Sequence, residues 1–220
     1  MGLLGLPLYG ALTFWSSLHP QPDPNTRLEA WSHYVLTHVL GSGLGLILAI
    51  FGTFALGAYL ATSRVGRLGL LAMVLTVFAT ALFLMPMGVF TFSAPHEGQA
   101  YLAGIEEYGK LPTILADTWF MASSLVVIVF AFVGNVLLGA AVWRSETLPR
   151  WAGALWAAGA VFMYPLGIVY AVAILGVQST PRTVLVGALL LVVSGAWMSL
   201  SVRRRPAAGR VGAQAQPRVQ

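Results

Sequence analysis

The chain has 220 residues, 58% of them hydrophobic and 9% charged, with a mean hydropathy of +0.80. Water-soluble domains carry about 45–50% apolar and about 25% charged residues, so this composition excludes a soluble globular protein and points to an integral membrane protein. The absence of cysteine excludes thiol catalysis, a CxxC redox centre, iron–sulfur clusters and disulfides.

The formal net charge is +5 and the pI is about 10.0. Because the basic residues flank apolar runs, this charge reads as membrane topology and gives no support to nucleic-acid binding. Lys110 is the sole lysine among the 12 basic residues, a bias that suggests a GC-rich bacterial genome.

A spanning helix needs about 20 mostly apolar residues to cross a hydrocarbon core of about 30 Å. The first apolar run, residues 3–18, is short, roughly 24 Å as a helix. It lacks the charged start and the small-x-small cleavage site of a signal peptide. It reads as an uncleaved first span, with an interfacial helix or a mis-assigned start as the alternatives. The proline-rich segment that follows, within residues 19–32, predicts an irregular loop.

Five longer runs follow, at 33–61, 67–92, 113–142, 151–177 and 183–202. They are continuous, unlike the short alternating strands of a β-barrel. The loop at 93–112 holds three of the seven acidic residues, Glu97, Glu106 and Glu107. The tail, 203–220, is polar, basic and without periodicity, which predicts a disordered cytoplasmic segment with its arginines near anionic headgroups. The prediction is therefore all-α: one transmembrane helical domain over 1–202, six spans, or five if residues 1–18 do not cross.

Positive charge sets the orientation. Arg64 and Arg67, Arg144 and Arg150, and Arg203, Arg204, Arg205, Arg210 and Arg218 fall on one side, predicted to be the cytoplasm. The other side holds Arg27, Lys110 and Arg182 with most of the acids. Six spans then place both termini inside, in a bacterial cytoplasmic (inner) membrane.

Helices associate in lipid through small residues and interhelical hydrogen bonds. Gly41, Gly45, Ala49 and Gly52 form such a face on the second span. Pro86 and Pro165 are expected to kink their helices. Trp15, Trp31 and Trp119 mark the outer boundary, and Trp143 and Trp151 the inner one.

All four histidines, His19, His33, His38 and His96, fall on the outer side. Imidazole binds metals and haem iron, and the thioethers of Met85 and Met87 would suit cuprous ion. His33 and His38 lie about 140° apart around a helix, so they do not form a zinc-type pair. His19 and His96 read as interface residues. His38 shares a face with Trp31, Tyr34, Ser42 and Gly45 and is expected to point at a neighbouring helix. Its first reading is an interhelical hydrogen bond; its second is a cofactor ligand, for haem, copper or zinc, with His33 or His96 as second ligand.

The 113–142 span carries a polar stripe of Asp117, Ser124 and Asn135. Intramembrane carboxylates are costly and by default functional. His38 is the expected partner of Asp117, at similar depth. The other reading has Asp117 stabilising the positive end of its own helix. Asn135, deeper, is expected to hold two helices together. No GxxxxGK[ST], HExxH, GxSxG or histidine-box pattern is present, so no catalytic residue is assigned.

The segment ending Leu18-His19-Pro20 precedes a polar loop. The next span opens Trp31-Ser32-His33-Tyr34-Val35-Leu36-Thr37-His38 and runs through glycines to Ala58-Tyr59-Leu60. This resembles six-span bacterial integral membrane proteins that share the His-Pro end and the Trp…His…Gly-rich second span. The resemblance implies the six-span fold and carries no established activity, cofactor or site residue.

Three functions are consistent with the sequence. The first is a non-catalytic bundle that binds a partner protein, lipid or second copy of itself. The second is a haem- or metal-binding redox protein using the outer histidines. The third is a small transporter or channel component using the polar stripe and the kinks.

Overall fold

The structure, a computed structural model, describes residues 2–19, 28–104, 118–170 and 182–204. All regular structure among them is helical. A 3-10 turn, Gly2–Leu4, leads into α1, Gly5–Ser17. Helix α2, Leu28–Thr37, runs through a π-helical segment, His38–Leu44, into α3, Gly45–Ala61. Then come α4, Gly66–Leu102, and α5, Thr118–Ser145. Next are α6, Arg150–Met163, its short continuation α7, Pro165–Tyr170, and α8, Arg182–Arg203.

Five helical stretches are long and apolar enough to cross a membrane: His33–Ala61, Gly66–Ser93, Ala122–Ser145, Arg150–Val169 and Arg182–Arg203. Each overlaps one of the five long apolar runs of the sequence.

Two boundaries need correcting. The segment expected as a loop at 93–112 continues α4 as far as Leu102, through Pro95. A proline removes only its own amide donor, and a helix packed elsewhere along its length tolerates that loss. Within the segment expected as a loop at 19–32, residues from Leu28 onward are helical. Residues 20–27 and the tail from 205 onward lie outside the described residues.

The two prolines expected to kink their helices behave differently. Helix α4 runs on through Pro86. At Pro165 the helix breaks: Tyr164 takes φ −94° and ψ −80°, its N–H still donates to the Ala160 carbonyl at 3.0 Å, and α7 starts anew. The pyrrolidine ring disfavours helical geometry in the residue before it and so contributes to the break at Tyr164, yet α4 continues through Pro86, so the ring alone does not decide it.

Six helices close into a ring. Helix α1 packs on α3, α3 on α4, α4 on α5, α5 on α6, α6 on α8, and α8 back on α1. A glycine marks each of these six interfaces. A Cβ added at Gly52, Gly10, Gly69, Gly134, Gly139 or Gly187 would come within 3.0 Å of the helix opposite. Small residues allow the close approach that drives packing where lipid removes the hydrophobic driving force. The buried positions are accordingly rich in alanine: Ala49, Ala72, Ala131, Ala141, Ala152 and Ala188. Large apolar side chains such as Phe51, Val74, Leu125, Val129 and Leu189 are exposed on the periphery. A contiguous apolar exterior on this scale belongs against lipid.

The small-residue face predicted on the second span has a definite partner, α1. Gly41 lies against Ser16 and Leu12, Gly45 against Leu12 and Tyr9, and Gly52 against Leu6. Both ends of α1 are also tied by hydrogen bonds. Ser16 Oγ and Ser42 Oγ are 3.1 Å apart, and Ser199 Oγ of α8 donates to the Leu3 carbonyl at 2.9 Å.

Candidate functional site

At one end of the ring, the arginine end, the connections brace each other. The Arg64 side chain donates through Nε to the Arg144 carbonyl at 2.8 Å and pairs with Glu146 at 2.7 Å. The first contact satisfies a carbonyl at the α5 C-terminus, where a cation is favoured by the helix dipole. Tyr59 donates to the Thr147 carbonyl at 3.3 Å. Trp143 and Trp151 meet edge to face at 5.1 Å, with the Arg150 guanidinium 5.7 Å from each ring. These features anchor and brace, and supply no reactive group.

The opposite end carries the histidines. His19 Nδ1 donates to the Trp15 carbonyl at 2.9 Å, capping the end of α1, and its ring packs edge-on against Trp15. His33 and His96 are exposed. No group of three or more His, Cys, Asp or Glu residues close enough to hold a metal ion exists among the described residues.

His38 is placed differently. It opens the π-helical segment and lines a cavity of about 360 Å³. Its Nδ1 donates to the Tyr34 carbonyl at 2.9 Å, and Thr37 Oγ1 donates to the same carbonyl at 3.0 Å. A carbonyl only accepts, so the proton sits on Nδ1. The Tyr34 ring stacks on the imidazole with centroids 3.9 Å apart. One carbonyl and one stacked ring therefore fix the orientation and tautomer of His38.

All six helices of the ring contribute to this cavity. On the wall near His38 stand Ser16 of α1, with Tyr34 and Ser42. Tyr9, Thr13 and Tyr164 also line it, with Tyr9 within hydrogen-bonding reach of the other two. Phe83 and Met87 of α4, Ile128 of α5, Met163 of α6 and Val184 of α8 supply apolar surface. The helix break at Tyr164 and the wider π turn at His38 both fall on this cavity. Each departs from α-helical geometry, and π turns recur at functional sites.

The Gly41-Ser42-Gly43 sequence inside the π segment lacks large side chains that would resist the wider turn. Sequence reasoning singled out His38 and its neighbours Tyr34 and Ser42. It missed Tyr9, Thr13, Ser16 and Tyr164. Their only signal was a set of hydroxyls within apolar runs, which becomes a site only when α1 and α6 are brought together.

The polar stripe resolves into separate roles. Asp117, and with it the proposed pairing to His38, lies outside the described residues. Ser124 lines a lateral recess of about 590 Å³ between α4 and α5, beside Pro86, Met85 and Trp119. Asn135 is buried at the α5–α6 contact. Its Nδ2 donates to the Ala131 carbonyl at 2.8 Å, and its Oδ1 accepts from Trp156 Nε1 at 3.0 Å. It joins two helices, as expected. Eleven residues separate Ser124 from Asn135, about 16 Å along the helix, so the two do not meet at one site.

The fold and cavity define a class: a polytopic helical membrane protein with a chamber at the centre of a helix ring. No family model, no curated protein and no solved structure matches the chain.

Proposed function

We propose that this chain is a six-span protein of the bacterial cytoplasmic membrane that binds a small lipid-like molecule in its central chamber, without catalysis. The observation that carries this reading is the chamber itself. Ligand sites are concave, mostly apolar, of about 300–1,000 Å³, with a few convergent polar groups. The cavity of about 360 Å³ has that size and that mixture.

The sixth span is α1. With its preceding 3-10 turn it extends roughly 25 Å, one turn short of the hydrocarbon thickness. Its glycine contacts to α3 and α8 make it an integral side of the ring rather than a surface helix. The distribution of arginine supports a cytoplasmic location for both termini.

The test is extraction of small molecules from protein purified in mild detergent, with mass spectrometry. A discrete species enriched over bulk lipid, and lost when Ser42→Phe fills the chamber, supports the reading. Identical bulk lipid from both proteins sinks it.

A second reading takes His38 as the axial ligand of a haem or as a copper or zinc ligand. It is favoured by one observation: the Nδ1 anchor to Tyr34 is the outer-shell bond that orients ligand histidines. A Soret band or stoichiometric metal in the purified protein, removed by His38→Ala, would establish it in place of the lipid reading.

A further inference from the structure

The chemistry of the chamber narrows its ligand, and this step rests on the proposal that the chamber binds one. Three observations converge. First, no Lys, Arg, Asp or Glu among the described residues lines the cavity. Against that lining a charged headgroup would be buried without a counter-ion, at a cost that few protein contacts offset. The described lining therefore favours an uncharged molecule.

Second, the Nδ1–H of His38 is committed to the Tyr34 carbonyl. In a neutral imidazole the other nitrogen is an acceptor only. Nε2 thus offers a lone pair that no side chain among the described residues occupies. It calls for a ligand that donates a proton into a hydrogen bond, which an ether, ester or ketone does not.

Third, the chamber includes flat and polarisable surfaces. Tyr34 stacks on His38, and Phe83, Met87 and Met163 line the same chamber. Thioethers and aromatic rings favour aromatic partners over saturated ones. The hydroxyls of Tyr9 and Tyr164, which also line the cavity, can serve a second polar group on the same molecule.

From these we infer that the chamber takes an uncharged aromatic alcohol, a phenol or hydroquinone head on an apolar tail, whose hydroxyl donates to Nε2 of His38. The volume holds the headgroup. The inference concerns recognition alone and involves no electron transfer.

The experiment uses the full chain in lipid nanodiscs, labelled with 15N-histidine and 13C-methyl methionine. Decylhydroquinone, its dimethyl ether and decyltrimethylammonium are titrated separately. The His38 signal is identified by its loss in His38→Gln. The methyl groups of Met87 and Met163 report any occupant of the chamber. Decylhydroquinone is expected to move both methionine methyls and to shift the His38 Nε2 resonance as its lone pair accepts a hydrogen bond. The dimethyl ether, lacking the donor, is expected to bind about tenfold more weakly and leave Nε2 unmoved. His38→Gln is expected to narrow that preference.

Equal binding of hydroquinone and ether, or equal binding of the ammonium compound, overturns the headgroup inference while leaving the chamber proposal standing. Failure of all three to move the methionine methyls overturns both.

Discussion

The bond between Asn135 and Trp156 allows the packing account to be tested quantitatively. Both side chains are buried, at 5% and 1% exposure, and their 3.0 Å bond links α5 to α6 deep in the bundle. Asn135→Ala removes the acceptor and leaves the indole N–H without a partner in a region that water does not reach. An interhelical bond in a membrane protein contributes about 0.6 kcal/mol on average and about 1.7 at most. An orphaned buried donor adds a penalty of about 1–3 kcal/mol. A loss of about 2 kcal/mol is therefore expected.

Trp156→Phe removes the donor and part of the packing volume, at a cost of similar size. The double variant should be less destabilised than the sum of the singles, because neither partner is then left unpaired. A coupling of about 1 kcal/mol is expected. The assay is reversible unfolding in mixed micelles titrated with sodium dodecyl sulfate, followed by circular dichroism. Strict additivity, with coupling below about 0.3 kcal/mol, would refute the claim that this bond joins the two helices.

Other expectations follow from the same geometry. In Gly10→Val the added Cβ would lie 2.8 Å from the Val192 amide nitrogen, so thermal stability should fall by about 1–3 kcal/mol from overpacking between α1 and α8. A loss below 0.5 kcal/mol would argue against tight docking of α1. The Arg64–Glu146 pair is exposed, at 59% and 71%, so Glu146→Gln should cost about 0.5 kcal/mol or less and the effect should vanish at high salt. Glu146 holds φ at 56°, where a side chain is strained by about 1–2 kcal/mol, so Glu146→Gly should raise the unfolding temperature despite losing the pair. A lower unfolding temperature would show that the ion pair outweighs the strain. Finally, an N-terminal reporter should lie on the same side of the membrane as one placed after Arg204. Reporters on opposite sides would overturn the six-span reading.

Much of this architecture is legible in the sequence because lipid imposes a simple rule: long apolar runs become helices. The five long spans, the small-residue face from Gly41 to Gly52 and the bridging role of Asn135 were all readable. The partner of that face was not, since a stripe of glycines shows where a helix approaches without showing which one. Nor was Trp156 readable as the donor to Asn135, because spacing within one helix carries no register between two. The break at Tyr164 followed from Pro165, whereas Pro86 leaves α4 continuous, so a proline alone does not decide the outcome.

The chamber was the least legible feature. His38, Tyr34 and Ser42 share one helix face and could be grouped from their spacing. Tyr9, Thr13, Ser16 and Tyr164 join them only through ring closure by α1 and the Tyr164 break. The π segment is equally hidden, because Gly41, Ser42 and Gly43 permit the wider turn but also suit an ordinary α-helix.

The most direct test of the central claim exploits the absence of native cysteine. Single cysteines are placed at Ser42, which lines the chamber, and at Leu138, which is fully buried in the packed bundle. Each variant is exposed to a small uncharged maleimide in nanodiscs, and labelling is followed by mass spectrometry. The account predicts rapid modification of Ser42→Cys, protection of Leu138→Cys, and slower labelling of Ser42→Cys once Met87→Trp fills the chamber. Ser42→Cys as inert as Leu138→Cys would contradict an accessible chamber at the centre of the ring.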